Sequence, residues 1–272
     1  MTVPELFGDP DQWPDDDLIA ITGVLSPHLV LAALHEGVFP MPITDDEVSR
    51  ELRGATAWWS PLRRGILLPG RLKVARSLRK TTKHHTTTVD RAFDEVITRC
   101  ADPTRPYAWI DDRVMEVYRY LHDRGWAHSV ETWDAQGRLV GGLYGVNVGG
   151  FFSGESMFHD PEYGRDASKT ALMRLVCELG PGLLDVQWST PHWPVLASLR
   201  WTVLSTLPFF PTPLSVRAHS GRVQMTQRGM AVTYSSDCEK CPTSGVAVSR
   251  PQYAQRLRKR YVGSQLKYRK CR

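Results

Sequence analysis

Between Ala127 and Met157 three strand-like runs follow one another with almost no chain to spare. Ala127 to Trp133 and Leu139 to Val146 flank Asp134-Ala135-Gln136-Gly137, whose turn-forming residues join them as a hairpin. Phe151 to Met157 follows at once, so the three runs predict an antiparallel sheet. Ala167 to Leu179 then has helical spacing of its apolar residues, and Leu183 to Trp188 reads as a buried strand. Upstream, residues 89–100 and 112–124 carry helical periodicity, the second through Val114, Val117, Tyr118 and Leu121 before Gly125. Two helices, an antiparallel run, a helix and a further strand predict an α+β layer arrangement.

The N-terminal third is organised differently. Residues 1–25 are acidic and proline-bearing and read as an extended lead-in. Ser26-Pro27 opens an apolar run through Leu29, Leu31, Ala32, Ala33 and Leu34 that closes at Gly37, the marks of a short helix. Val38-Phe39-Pro40 and a charged loop lead to Trp58-Trp59-Ser60-Pro61, either a rigid aromatic corner or the packing of a small core. Ile66 to Pro69 reads as a strand. We therefore expect a small N-terminal domain over 1–88 and a second domain over 89–272. Residues 193–243 mix proline, serine and arginine without a sustained period, and no secondary structure is assigned there.

Composition narrows the function classes. With 42% hydrophobic and 23% charged residues the chain suits a globular protein. No run approaches the roughly 20 apolar residues that span a bilayer. Asp9, Asp11, Asp15, Asp16 and Asp17 stand where a signal peptide would be basic and then apolar, so a cytoplasmic address is expected. Cys100, Cys177, Cys238, Cys241 and Cys271 are odd in number and scattered, which argues against a disulfide framework. Cys238-x-x-Cys241 is half a zinc site without a second ligand pair, so neither metal nor cofactor is expected. The net charge of +5 is uneven: nine Lys/Arg and no acid lie between Cys241 and Arg272. A second patch, Arg71, Lys73, Arg76, Arg79, Lys80 and Lys83, also lacks acids and places Arg76, Arg79/Lys80 and Lys83 at helical spacing. Such patches steer polyanions or are simply solvated surface.

Seven short motifs carry a resemblance. They are Gly37-Val38-Phe39-Pro40, Trp58-Trp59-Ser60-Pro61, Ala127-His128-Ser129-Val130-Glu131, Gly141-Gly142-Leu143-Tyr144-Gly145, Gly154-Glu155-Ser156-Met157-Phe158, Ala167-Ser168-Lys169-Thr170-Ala171 and Asp185-Val186-Gln187. In this order the chain resembles leucyl/phenylalanyl-tRNA–protein transferases, and Ser249-Arg250-Pro251-Gln252-Tyr253 looks like that family's closing segment. The resemblance implies a small N-terminal domain followed by an acetyltransferase-like (GNAT-like) domain. It implies transfer of leucine or phenylalanine, and methionine less readily, from aminoacyl-tRNA to proteins beginning with Arg or Lys, marking them for degradation by the N-degron route. The partners implied are Leu-tRNA, Phe-tRNA and those acceptor proteins; no membrane is involved and a monomer is expected.

Site residues follow from the same resemblance. Aminolysis of an aminoacyl ester needs little covalent help, so holding amine and carbonyl together should dominate. Asp185, at the end of an apolar strand, is the candidate to take or orient the amine proton. Gln187, two residues on in a regular strand, would share its face and hydrogen-bond the amine or the developing oxyanion. Glu155 would recognise the N-terminal Arg or Lys. The family's apolar pocket maps onto Leu143, Phe152, Leu172, Leu175, Leu179 and Leu184, and its platform for the terminal adenosine onto Trp109 and Tyr118. Leu34 and Met41 depart from it, standing where some members carry aromatics. Arg76, Arg79, Lys80 and Lys83 would contact tRNA phosphates. His128 reads as structural and His84-His85 as basic surface. About fifty residues separate His192 from Ser244 where the family has almost none, an atypical insertion at about 193–243. Two other readings remain open at this point. One is a non-catalytic tRNA-binding relic inactivated by the insertion. The other is an acetyl-CoA-dependent N-acetyltransferase, although Val148-Gly149-Gly150 lacks the context of a pyrophosphate loop.

Overall fold

Two sheets organise the computed structural model, which describes residues 6–43, 50–67, 72, 74–105, 108–179 and 182–188. The 193–243 insertion, the basic tail, Ser249 to Tyr253, Arg71, Lys73, Cys238, Cys241 and Cys271 lie outside these residues.

The smaller sheet is antiparallel, with strand order β1 (Leu18–Thr22), β3 (Thr56–Trp59), β2 (Phe39–Pro42). Helix α1 (Pro27–His35) starts where Ser26 Oγ accepts from Leu29 N at 3.3 Å, and it ends at Gly37, whose φ of 75° a side chain would resist. Pro40 and Pro42 are tolerated because β2 is an edge strand. The lead-in expected over residues 1–25 is not merely extended: its apolar Leu18-Ile19-Ala20-Ile21 forms β1, and Asp17 beside it is buried. Trp58 and Trp59 occupy the central strand and are fully buried. Trp58 Nε1 donates to Thr22 Oγ1 at 2.8 Å, whereas Trp59 meets the ring of Trp188 edge-on at 5.7 Å. One tryptophan therefore closes the small core and the other seals it to the second sheet.

The larger sheet contains β4 (Arg64–Leu67), β5 (Thr86–Val89), β6 (Ala127–Trp133), β7 (Leu139–Val148), β8 (Phe151–His159) and β9 (Leu183–Trp188), in the order β4-β9-β8-β7-β6-β5. All neighbours are antiparallel except β8 and β9, which are parallel and joined through a helical crossover. Its helices are α2 (Arg76–Thr81), α3 (Phe93–Cys100), α4 (Asp112–Asp123) and the crossover helix α5 (Ala167–Leu179). Two helices, three antiparallel strands, a helix and a further strand give the α+β order that the sequence predicts, with β5 added ahead of them. Strand β4 and most of β5 precede the expected division at 88/89 yet are paired into this sheet. The helix expected over 89–100 begins only at Phe93, because the β-branched run Thr86-Thr87-Thr88-Val89 pairs with β6 instead.

Side chains alternate across the larger sheet into two cores. Tyr144, Phe151 and Leu183 face α3 and α4, with Val96, Ile97, Val114, Tyr118 and Leu121. Leu143, Phe152 and Leu184 face α5. Close approach explains the glycine motif on β7: a Cβ on Gly141 would lie 2.5 Å from that of Ala167 in α5, and one on Gly145 would lie 2.1 Å from Ser153 O. Glu131 is buried beneath the start of α3, accepting from Ser129, Thr88 and the backbone NH of Ala92. His128 Nδ1 lies 2.7 Å from Asp90 Oδ2.

Candidate functional site

Strands β8 and β9 run side by side only from Phe151 opposite Leu183 to Ser153 opposite Asp185. Beyond that point both continue without pairing to each other, β8 against β7 and β9 against β4. Each strand carries a bulge where they part. The β7–β8 register passes from Gly145 opposite Gly154 to Tyr144 opposite Ser156, which leaves Glu155 as the extra residue. The β4–β9 register passes from Ile66 opposite Asp185 to Arg64 opposite Trp188, which leaves Val186 and Gln187 facing Gly65 alone. A bulge bends its strand and re-aims a side chain, and here two bulges aim at one place.

Glu155 is buried, with Oε1 accepting from Ser153 Oγ at 3.0 Å and Oε2 from Gln187 Nε2 at 3.4 Å. Burial pushes its carboxyl up to about 7, and the nearby charge of Asp185 adds to this. Ser153, Tyr118 and Gln187 pull the other way, the Tyr118 hydroxyl facing Glu155 without completing a strict hydrogen bond. Asp185 is also buried and raised by burial, opposed first by Arg64 and then by its bond with the Gln187 backbone. Its Oδ1 accepts from Gln187 N at 2.9 Å, and its Oδ2 lies 3.6 Å from Arg64 Nη1. Arg64, buried to the same degree, donates through Nη2 to Gly37 O and lies over the Phe39 ring at 6.0 Å. Two buried carboxylates, both raised by burial, and an amide donor can hold an amine and exchange a proton with it.

The predicted Asp185, Gln187 and Glu155 are thus brought together, but not by the expected route. Regular alternation would place Asp185 and Gln187 on one face; instead Gln187 has a φ of 63° and sits in the bulge, folded back onto the Asp185 carboxylate. Leu143, Phe152, Leu172, Leu175, Leu179 and Leu184 assemble into one buried cluster with Val130 and Ala171 on the α5 side. Ser153 and Asp185 lie on the other side of the sheet from the cluster, at the place where β8 and β9 part. Gly154 stands at that place, where a Cβ would lie 3.1 Å from Asp185 O and 3.5 Å from Leu184 Cδ1.

Trp109 is half-buried ahead of α4 and packs against the α3–α4 core. Tyr118 is wholly buried, with Tyr144 edge-on at 5.4 Å, and it faces Glu155. Leu34 and Met41 are buried in the small core. Arg76, Arg79, Lys80 and Lys83 are all exposed on α2 and the turn after it, with no ion pair among the described residues. Sequence reasoning missed Arg64 and Ser153. The only hint of Arg64 was an arginine set two residues before the apolar pair Ile66-Leu67. Among the described residues no three His, Cys, Asp or Glu side chains are grouped to hold a metal, and no helix is long and apolar enough to cross a membrane.

The family model described as leucyl/phenylalanyl-tRNA protein transferase matches residues 66–203. The chain is 41% identical over 204 residues to the leucyl/phenylalanyl-tRNA–protein transferase of Aromatoleum aromaticum, covering 70% of this chain and 81% of that protein. It is 41% identical over 209 residues to the enzyme of the same name from Legionella pneumophila strain Corby, covering 75% and 87%. The chain belongs to the leucyl/phenylalanyl-tRNA protein transferase family. Among solved structures it is similar to that of L-PGS from Bacillus licheniformis, with a TM-score of 0.34, 12% identity and 49% of each chain covered. Membership gives the bulged carboxylate site a context: it lies on two strands within the matched region.

Proposed function

We propose that this family member is an aminoacyltransferase that moves leucine or phenylalanine, and methionine less readily, from aminoacyl-tRNA to the N-terminal amine of proteins beginning with Arg or Lys. The observation that carries the reading is the convergence of Glu155, Asp185 and Gln187 where β8 and β9 part, in a chain of this family. In the reaction the acceptor nitrogen attacks the ester carbonyl carbon, a C–N bond forms, and the C–O bond to the ribose oxygen breaks. The amine loses one proton and the ribose oxygen gains one. The two carboxylates offer a place for the departing proton, and Gln187 orients the amine or the developing oxyanion.

The donor's apolar side chain would enter the α5-side cluster at the parting beside Gly154, where selection rests on shape and desolvation. Glu155 is suited to an N-terminal Arg or Lys, being an acceptor already held by two donors. Trp109 would serve the terminal adenosine, and the exposed Arg76, Arg79, Lys80 and Lys83 the tRNA backbone. The roles imply a cytoplasmic protein, acting as a monomer in the N-degron route. An acetyl-CoA reading is disfavoured because Gly149 and Gly150 form a tight turn between two strands, not a loop opening a helix.

Incubating the purified chain with radiolabelled Leu-tRNA and a peptide starting with Arg should label the peptide. Binding of tRNA with no label transferred would leave the relic reading in its place.

A further inference from the structure

We propose that Arg64 is a positioning residue for this transfer: from β4 it fixes the Asp185 carboxylate and biases Asp185, rather than Glu155, to carry the negative charge of the pair. The inference rests on the aminoacyl-transfer reading. Its geometry is specific. Arg64 and Asp185 are both buried at 3.6 Å, and the same guanidinium is tied to Gly37 O at the end of α1.

Stability alone is a poor explanation for such a pair. Buried ion pairs are commonly replaced by apolar residues without loss, and this one is loose. Arg64 Nε and Nη1 have no hydrogen-bond acceptor among the described residues, although the whole side chain is out of solvent. What the guanidinium does supply is a fixed positive charge on one carboxylate of two. Asp185 faces Arg64 from β4 and Glu155 from β8, with Gln187 on its own strand; Tyr118 from α4 and Tyr144 from β7 face Glu155. Arg64 is thus the cation that acts on Asp185, and it is not among the groups that act on Glu155. Its tether to Gly37, with the Phe39 ring beside the guanidinium, also gives the Gly37-Val38-Phe39-Pro40 motif a reason to sit close to the site.

The test uses the full chain and the variants R64M, R64K, D185N and R64M/D185N, with Leu-tRNA as donor and an Arg-initiated peptide as acceptor. R64M should lower kcat, leave KM for Leu-tRNA within about twofold, and move the acidic limb of the kcat–pH profile upward by about one unit or more. R64K keeps the charge, so its limb should return toward that of the unsubstituted chain. Its kcat should stay reduced, because one ammonium cannot serve both Asp185 and Gly37 O. Adding R64M to D185N should cost nothing further. An unmoved limb, or losses that multiply in the double variant, overturns the proposal. If R64M does not fold by circular dichroism, R64K decides: an unchanged kcat overturns the proposal, and a reduced kcat with an unchanged melting temperature supports it. Were the unsubstituted chain itself to transfer no label, the function reading would fail; a working enzyme indifferent to Arg64 would sink the positioning role alone.

Discussion

The Gln187 side-chain amide reaches Glu155 Oε2 at 3.4 Å between two strands that have stopped pairing, and each residue owes its direction to a bulge. Neither side chain would point there from a regular strand. The site is therefore built from irregularities, and its chemistry depends on their persistence.

Glu155 ties stability to pH. Its carboxyl is raised from 4.5 to about 7 by burial, so the folded protein holds the proton more tightly than the unfolded chain does. Stability is then lost as pH rises from 4.5 through about 7, by about 3 kcal/mol in the limit. Glu155→Gln should melt higher than the unsubstituted chain at about pH 8.5, with the gap closing at about pH 5. Melting curves at the two pH values check this; an equal gap at both would remove burial of the carboxylate as the cause.

Asp185→Ala should reduce transfer by about 10²-fold or more while tRNA affinity stays near normal. It also strands a buried guanidinium, so a loss of about 3 kcal/mol in stability should accompany it. Single-turnover transfer and filter binding separate the two effects. An unchanged transfer rate takes Asp185 out of the chemistry.

Arg76→Glu with Arg79→Glu should weaken tRNA binding and lower the slope of log affinity against log salt by about one for each phosphate no longer neutralised. Both side chains are exposed and without an ion pair among the described residues, so the fold should be untouched. A salt slope that does not move would mark α2 as ordinary surface.

Gln187→Asn should separate stability from activity. A φ of 63° disfavours Gln and suits Asn better, so the melting temperature should hold or rise, by up to about 1 kcal/mol of stability. Transfer should nonetheless fall, because the shorter side chain cannot span to Glu155. A variant with full activity would show that the bridge is incidental.

Gly145→Ala tests the packing of β7. The new Cβ would lie 2.1 Å from Ser153 O and 2.4 Å from Phe152 Cε1, forcing apart the strand pair that carries the site. We expect a loss of about 3 kcal/mol, measured by denaturant unfolding. A loss under about 1 kcal/mol would mean that β8 shifts freely.

Much of this fold was legible because its signals are local. The hairpin around Asp134 to Gly137, the helix capped by Ser26 and the helix stopped at Gly125 all stand close to where their residues placed them. Strand β5 was hidden because four residues at a half-exposed sheet edge leave no alternating pattern to read. Strand β1 was masked by its acidic surroundings, since nothing local says that Asp17 will be buried against distant backbone. The carboxylates and Gln187 came from motif resemblance, yet a bulge is a property of two strands together and no single run encodes it. Arg64 escaped for a related reason: an arginine reads as solvated until a partner 121 positions away explains its burial.

Asp17 accepts from Leu62 N at 2.7 Å through Oδ1 and from Trp188 Nε1 at 3.2 Å through Oδ2. One acidic side chain beside the first strand thereby clasps the far end of the ninth, just past Gln187. The small sheet is a buttress rather than an appendage, and a truncation or fusion that disturbed it would cripple the enzyme without altering any group that meets substrate.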